Sequence, residues 1–223
     1  MFEEKPASKV SLTQRKPICG VGINDAPYSV NAGSAGSGGR CPYYQVWVSM
    51  LKRAYSTKLH ERHPTYRNCS VDKEWHSFMN FRKWMEKQDW EGKQLDKDLL
   101  VIGNKVYSKA TCKFIPASIN NLLTYAKSSE QGLPHGVSYH KGRKKYIVNF
   151  RKNRVLVHLG YFCTQELAYE QFVIHKTKHI REVAQEQEDL EIKDALIRHA
   201  KALEDTLVDR TEQEEPEQER LGV

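Results

Sequence analysis

Two aspartates in the middle of the chain have the type and spacing that a metal-dependent reaction on phosphate requires. Asp96 and Asp98 alternate within residues 92–108, a segment whose pattern predicts two short strands about a Gly-Asn turn. Side chains two positions apart on a strand share a face, so both carboxylates can hold one magnesium ion, with phosphate oxygens and waters completing its shell. The alternative is a solvated acidic turn whose carboxylates pair with Lys97 and Lys105.

A second chemical signal is a strand that is basic along one side. Period two places Lys145, Ile147, Asn149 and Arg151 on one face and Tyr146, Val148 and Phe150 on the other. Similar runs lie at residues 136–140 and 155–159, and a helix is predicted from Thr164 to about Ala184. One sheet face should pack on this helix, while the other is a candidate nucleic-acid surface or an ordinary polar face turned to water.

The charge distribution favours a polyanionic partner for most of the chain. The 223 residues carry 35 Lys and Arg against 28 Asp and Glu, a formal charge of +7. From Ala184 onward there are 5 basic and 13 acidic residues, which leaves 30 basic and 15 acidic residues, or +15, for residues 1–183. Hydrophobic residues make up 39% of the chain, enough for a core, so a wholly disordered protein is excluded.

Other classes of protein are excluded by what the sequence lacks. No segment approaches 18 consecutive apolar residues and the start has no apolar stretch typical of a secretory signal, so we expect a soluble protein of the cytoplasm. The cysteines are odd in number, dispersed and without a C-x-x-C pair, which argues against a disulfide framework or a common zinc module. We expect reduced thiols at Cys19, Cys41, Cys69, Cys112 and Cys163.

The elements that must position the chemical groups follow from periodicity. Residues 1–42 include a glycine-rich run and are predicted to form a flexible arm. Residues 43–125 begin with a helix from Tyr43 and a second aromatic-rich helix that follows a cap at Asp72. Residues 126–134 lack periodicity and predict a linker, so a domain boundary is expected there.

The C-terminal segment predicts a helix and a tail. Within residues 185–209, Ile192, Leu196, Leu203 and Leu207 have the spacing of a coiled-coil seam, which would pack on the chain itself or form a homodimer through residues 192–207. Residues 210–223 are predicted to be a disordered acidic tail. The expected fold class is α+β, with a helical N-terminal region, a small three-stranded antiparallel sheet with one packed helix, and this C-terminal helix.

The segment from Gly136 to Tyr169 resembles the DNA-binding domain of the plant Apetala-two and ethylene-response factors. Its most specific parts are Gly136-Val137 and Leu159-Gly160-x-Phe162-x-Thr164 followed by Ala168. The resemblance implies that residues 135–184 place a three-stranded sheet in the major groove of double-stranded DNA. The residues implied to face the DNA are Ser138, His140, Lys145, Asn149, Arg151 and His158. Arg and Asn suit bidentate contacts with base edges, but Ser138, Leu156 and His158 stand where the family has arginines and tryptophans, so no target sequence is carried over.

The middle of the chain is similar to the HNH nucleases of bacteriophages and their hosts, some of which carry this DNA-binding module behind the nuclease. The match runs from Leu95 to Asn121 and makes the second half of residues 43–125 a ββα-metal fold. By that match Asp96 binds the metal and Asn104 fixes the loop between the strands.

Two positions depart from the HNH pattern. Lys97 stands at the position of the general-base histidine, and Cys112 falls where a metal-binding Asn or His is usual. A base near neutral pH suits histidine, with a reference pKa of about 6.5, rather than lysine at about 10.4, and magnesium prefers oxygen ligands to a thiol. The candidate catalytic set is Asp96, Lys97, Asp98 and Asn104, with magnesium on Asp96 and Asp98 if the site is active.

Three functions stay open at this point. The first is a sequence-directed HNH-type endonuclease of phage origin, of which homing enzymes are one kind, with a degenerate catalytic motif. The second is a noncatalytic DNA-binding or regulatory protein that retains the nuclease fold. The third is an interaction protein that inhibits host machinery through the helices and the acidic tail.

Overall fold

The protein is a mixed α+β chain in a computed structural model that describes residues 2–31, 39–124, 132–153 and 155–214, the last six of these as backbone only. Its α-helices are α1 Lys9–Thr13, α2 Pro42–Tyr55, α3 Thr57–Arg62, α4 Phe78–Met85, α5 Ala117–Leu123, α6 Gln165–Gln185 and α7 Leu190–Glu214. Its strands are β1 Ser70–Val71, β2 Gln94–Asp96, β3 Val106–Tyr107, β4 Lys113–Ile115, β5 Val137–His140, β6 Lys145–Lys152 and β7 Val155–Phe162. None of the helices in these described ranges combines the length and apolar character that crossing a bilayer needs.

The chain divides into two compact units, Met1–Ala117 and Ser118–Val223. This division lies at the start of α5 rather than in the predicted linker. Residues 126–131 of that linker are outside the described residues.

Aromatic side chains form the core of the first unit. Trp47 of α2 is fully buried, and its indole N–H donates to the carbonyl of Trp75 at 2.7 Å. The predicted second helix is divided in two, because Asp72 caps a short 3-10 helix, Lys73–His76, and the Ser77 hydroxyl then accepts the backbone N–H of Asn80 to begin α4. These caps explain why one aromatic stretch produces two helical segments.

The predicted flexible arm at residues 1–42 is wrong for most of the part that the structure describes. Ala26, Tyr28 and Val30 are buried in the core of the first unit, as is Cys41. The Arg15 guanidinium donates to the carbonyls of Asn24, Ala26 and Tyr28, at 2.8, 2.6 and 2.9 Å. One arginine thus satisfies the backbone of a segment that has little regular structure. The glycine-rich run at 33–38 lies outside the described residues.

The predicted hairpin at residues 92–108 is also wrong. Strand β2 pairs antiparallel with β4, with Asp96 opposite Lys113, and β3 pairs in parallel with β1 instead. The segment between β2 and β3 is shaped by side-chain hydrogen bonds to the backbone, which compete with a strand ladder. The order along the chain that remains is strand β2, strand β4, helix α5.

The second unit contains a three-stranded antiparallel sheet in the order β5-β6-β7, packed on α6. Val137, Val148 and Phe150 of the sheet are buried with Ala168, Tyr169, Phe172 and Val173 of the helix. The Thr164 hydroxyl caps α6 by accepting the backbone N–H of Leu167. Leu167 and Ile174 of the same helix do not belong to this core, and they are 48% and 45% exposed.

Helix α7 packs on α6 of the same chain. Ile192 and Leu196 are buried, and Leu203 and Leu207 contact the core between the sheet and α6. The seam offered to a second copy is therefore occupied from within, and a homodimer through residues 192–207 would have to use the exposed side of the helix. The helix continues to Glu214, beyond the predicted start of a disordered tail at residue 210, and residues 215–223 lie outside the described residues.

Candidate functional site

The sheet of the second unit has one face that does not pack on α6. The register pairs Ser138 with Ile147, His140 with Lys145, Asn149 with His158 and Arg151 with Leu156. Directly opposed residues of an antiparallel pair point to the same side. All six residues implied to face DNA therefore lie on one surface, which we call the outer face: Ser138, His140, Lys145, Asn149, Arg151 and His158.

A β-bulge adds a residue to this face that alternation alone would not place there. The pairing passes from Asn149 opposite His158 to Val148 opposite Gly160, so Leu159 is extra on β7. Gly160 adopts φ +135°, a conformation that side-chain-bearing residues rarely adopt. The extra residue reverses the alternation, and Tyr161 lies opposite Ile147, on the same face as His158.

Tyr161 is the centre of an aromatic and basic cluster on the outer face. Its ring centroid lies 5.7 Å from that of His140 on β5 and 5.1 Å from that of His158 on its own strand. The guanidinium carbon of Arg143, from the turn between β5 and β6, lies 4.5 Å from the Tyr161 centroid. The cluster thus joins β5 and β7 across the central strand and includes two residues, Arg143 and Tyr161, that sequence reasoning missed.

A side-chain pair continues from this cluster to the central strand. Asn149 Oδ1 and His158 Nδ1 lie 3.1 Å apart, at hydrogen-bond distance across the bulge. When His158 Nδ1 carries its hydrogen, it donates to Asn149 and leaves the amide N–H groups of Asn149 available to another acceptor. The pair joins two of the residues implied to face the groove into one unit.

The outer face is cationic without internal neutralisation. Residues 132–165 contain no Asp or Glu, whereas they contain seven Lys and Arg. Lys145 and Arg151 are exposed, and neither forms an ion pair with any described residue. The next lysine, Lys152, pairs instead with Glu182 of α6 at 2.6 Å. The positive charges of Lys145 and Arg151 are therefore not neutralised on the outer face, whereas the charge of Lys152 is neutralised by Glu182 of α6.

The predicted catalytic residues form a different kind of site. Asp96 Oδ1 accepts the backbone N–H groups of Asp98 at 2.9 Å and Leu99 at 2.7 Å, so its carboxylate closes a turn. Strand β2 ends at Asp96, and the predicted shared strand face for Asp96 and Asp98 is wrong for this reason. Burial, followed by the nearby Asp98 carboxylate, raises the pKa of Asp96.

Lys97 and Asn104 hold the loop that follows. The Lys97 side chain is almost fully buried; its Nζ lies 2.8 Å from Asp98 Oδ1 and donates to the Asn104 carbonyl at 2.9 Å. The Asn104 amide donates to the carbonyls of Lys97 and Val106, both at 2.7 Å. A general base must accept a proton, whereas these two contacts use the Lys97 ammonium as a donor.

Three neighbours complete this loop site. Cys112 is buried, and burial raises the pKa of its thiol to about 12. A thiol is in any case a poor ligand for magnesium, which prefers oxygen. Arg53 of α2, another residue that sequence reasoning missed, donates to the Leu95 carbonyl at 3.3 Å and lies 5.2 Å from the Tyr107 ring centroid. The Lys97 ammonium lies 5.9 Å from the same centroid.

The carboxylates of the loop are already engaged by donors of this chain. Two backbone N–H groups occupy Asp96 Oδ1, and the Lys97 ammonium occupies Asp98 Oδ1. In the described part of the chain, no three His, Cys, Asp or Glu side chains are grouped closely enough to hold a metal ion. These contacts use only the Oδ1 atom of each carboxylate, so a magnesium ion at Asp96 and Asp98 would have to bind through Oδ2, beside the Lys97 ammonium that already neutralises Asp98. The loop therefore fits magnesium poorly as it stands.

Comparisons with protein-family models, with curated proteins and with solved structures gave no match to this chain. The geometry of the outer face and of the loop site is therefore the basis for assigning a function.

Proposed function

We propose that this protein binds double-stranded DNA through the outer face of the β5-β6-β7 sheet. The observation that carries the proposal is the convergence of Lys145, Asn149, Arg151 and His158 on one solvent-facing surface. Lysine and arginine neutralise phosphates, and Asn, Arg and His have donors that suit base edges. The proposal agrees with the resemblance to the Apetala-two and ethylene-response-factor domains.

The shape and charge of the face also support a DNA partner. The major groove of B-DNA is about 12 Å wide and admits a two-stranded β-ribbon, while neighbouring strands lie about 4.8 Å apart. An ordinary solvated sheet face would be expected to mix charges of both signs. The absence of Asp and Glu from residues 132–165 favours the DNA interpretation over that alternative.

The proposal treats the HNH-like segment around Asp96 and Asn104 as one that is retained without cutting DNA. Its support is the engagement of Lys97 and both carboxylates in holding the loop, together with the buried thiol at Cys112. The protein is then the noncatalytic DNA-binding member of a phage-type group, and the active endonuclease is the competing function.

Salt-dependent DNA affinity tests the binding surface. The double variant Lys145→Ala/Arg151→Ala is expected to bind duplex DNA at least tenfold more weakly and to lower the slope of log affinity against log salt by about 2, because two phosphate-reaching charges are removed. The matched control is Lys178→Ala/Lys201→Ala, which removes the same charge from exposed positions on α6 and α7. Equal losses in both double variants would reduce the effect to net charge and contradict the proposed surface.

Cleavage of supercoiled plasmid tests the noncatalytic interpretation. The purified protein with magnesium or manganese is expected to give no more nicking than the Asp96→Ala variant or a chelator control. Each protein is first shown to be folded by circular dichroism, since Asp96 also closes a turn. Metal-dependent nicking that disappears in Asp96→Ala would establish the endonuclease instead.

A further inference from the structure

We propose that Arg143, held against Tyr161, is the guanine-reading residue of the outer face. The inference rests on the proposed DNA binding and deepens it, because it assigns one base preference to one side chain. The residues that carry it are Arg143, Tyr161 and His140, and the cluster spans strands β5 and β7 across the central strand.

Both ends of Arg143 are positioned by contacts of this chain. The backbone N–H of Arg143 donates to His140 Nδ1 at 3.1 Å, which folds the short 3-10 turn Lys141–Arg143 back on the end of β5. The guanidinium carbon lies 4.5 Å from the Tyr161 ring centroid, a cation-π contact on the aromatic face. An arginine fixed at its backbone and over a ring loses less rotamer freedom on binding than a free surface arginine.

The donors of Arg143 are still available in this arrangement. A ring beneath the guanidinium does not consume its N–H groups, and Arg143 forms no ion pair with any described residue. Two parallel N–H donors match O6 and N7 of guanine in the major groove, the commonest specific side-chain contact to a base. Such a fork also matches a phosphate, so the test must separate a base contact from a backbone contact.

The neighbourhood favours the base contact. Tyr161 contacts His158, and His158 is hydrogen-bonded to Asn149, so Arg143 belongs to a continuous chain of side chains that ends at the central strand. Arg151 lies toward the other end of β6, opposite Leu156, and the structure gives it no aromatic support. Of these two arginines, Arg143 is the one that the fold holds in place.

Selection from a random duplex library tests the proposal with charge kept constant. The wild-type protein is expected to enrich a site with guanine at one or more positions. Arg143→Lys keeps the charge and loses the fork, so it is expected to lose the guanine preference at one position, a roughly tenfold to hundredfold drop in discrimination. Its binding to nonselected duplex, and the salt dependence of that binding, should stay as in wild type.

Two tyrosine variants test the positioning role of the ring. Tyr161→Leu removes the aromatic face without changing charge and is expected to weaken the same guanine preference, whereas Tyr161→Phe keeps the ring and should keep the preference. Far-UV circular dichroism checks that each variant is folded. An effect of Tyr161→Phe equal to that of Tyr161→Leu would contradict a role for the ring face.

The outcomes separate this inference from the function on which it rests. A wild-type protein that binds no duplex overturns both. A wild-type protein that selects a sequence, but whose Arg143→Lys variant selects the same sequence with equal discrimination, overturns the guanine assignment alone. A uniform loss on all duplexes in Arg143→Lys, with the discrimination between sequences unchanged, identifies a contact of the guanidinium fork with phosphate and likewise overturns it.

Discussion

On the outer face of the β5-β6-β7 sheet, Lys145 and Arg151 extend into solvent, whereas in the loop after β2 the Lys97 side chain is 4% exposed and donates to the chain's own oxygens. From the sequence, both regions were interpreted as segments that act on DNA, because both contain residue types that bind phosphates, bases or metal ions. They differ in how much hydrogen-bonding and charge capacity is left over after folding. Residue types and their spacing can indicate a candidate site. Whether the site can bind a ligand depends on which hydrogen-bond donors are not already used within the protein.

In the proposed function, the inner face of the sheet stabilises the fold and the outer face binds DNA. Phe172 of α6 packs on the inner side, directly against Gly136. Gly136 has φ +81°, and a methyl group there would overlap the Phe172 ring. At Gly136 the packing therefore leaves no room for even the smallest side chain.

Gly136→Ala should give the largest effect in the molecule. Left-handed strain and overpacking together are expected to lower the free energy of unfolding by about 4 kcal/mol. Urea unfolding followed by circular dichroism measures the loss, and duplex binding should weaken in parallel as the sheet unfolds. Gly142→Ala is the control, because Gly142 has no positive φ and only ordinary contact distances. An unchanged midpoint for Gly136→Ala would contradict the tight packing of α6 on the sheet.

Lys176 is an exception to this separation, because it is a basic residue that is buried rather than exposed on the outer face. It lies on α6 at 6% exposure, and burial lowers its pKa from the usual 10.5 to about 8. Below pH 8 the side chain is charged in both the folded and unfolded states, so the cost of burying the charge is complete. Between pH 8 and 10.5 the unfolded state binds more protons, so this group makes stability rise with pH across that window.

Lys176→Met is accordingly expected to raise the free energy of unfolding by about 3 kcal/mol at pH 7. The advantage over wild type should shrink as the pH rises from 8 to 10.5, because the lysine is then buried in its neutral form. Urea unfolding of both proteins at several pH values measures the difference between their free energies of unfolding. The titration of tyrosines and cysteines is common to both proteins and cancels in this difference. A difference that stays constant with pH would show that burying the charged form of Lys176 does not destabilise the protein.

Period-two reasoning succeeded where burial enforces it. Val148 and Phe150 must face α6, and this fixed Lys145, Asn149 and Arg151 on the outer face without any knowledge of the structure. It missed Tyr161 because the predicted run ended at residue 159, whereas β7 continues to Phe162. The extra residue Leu159 also reverses the alternation there. The glycine at position 160 was the available signal, since a glycine within a strand often marks a bulge.

The first unit was harder to predict because its pairing is not local. Strand β2 pairs with β4 across 16 intervening residues (97–112), so the nearer β3 was the wrong partner. Residues 1–42 were assigned to an arm because they mix basic and turn-forming positions with a glycine-rich run. The three carbonyl partners of Arg15, which order part of this segment, cannot be read from the sequence. Asn104 was predicted to fix a loop, but the role of Lys97 as its partner depends on burial that only the fold supplies.

The last prediction compares a lysine-to-alanine substitution in the loop with one on the outer face, and it has the smallest expected effect on stability. Lys97→Ala removes a buried donor from the Asn104 carbonyl and a partner from Asp98, so we expect the free energy of unfolding to fall by about 2 kcal/mol, discounted because Asp98 is itself half exposed. Lys145→Ala removes an exposed lysine and should change it by no more than about 0.5 kcal/mol. DNA affinity is expected to show the reverse order. Urea unfolding and duplex titration of the two variants measure stability and affinity. If Lys97→Ala keeps its stability but loses a DNA-directed activity, the loop is a functional site and the structural role proposed for Lys97 is wrong.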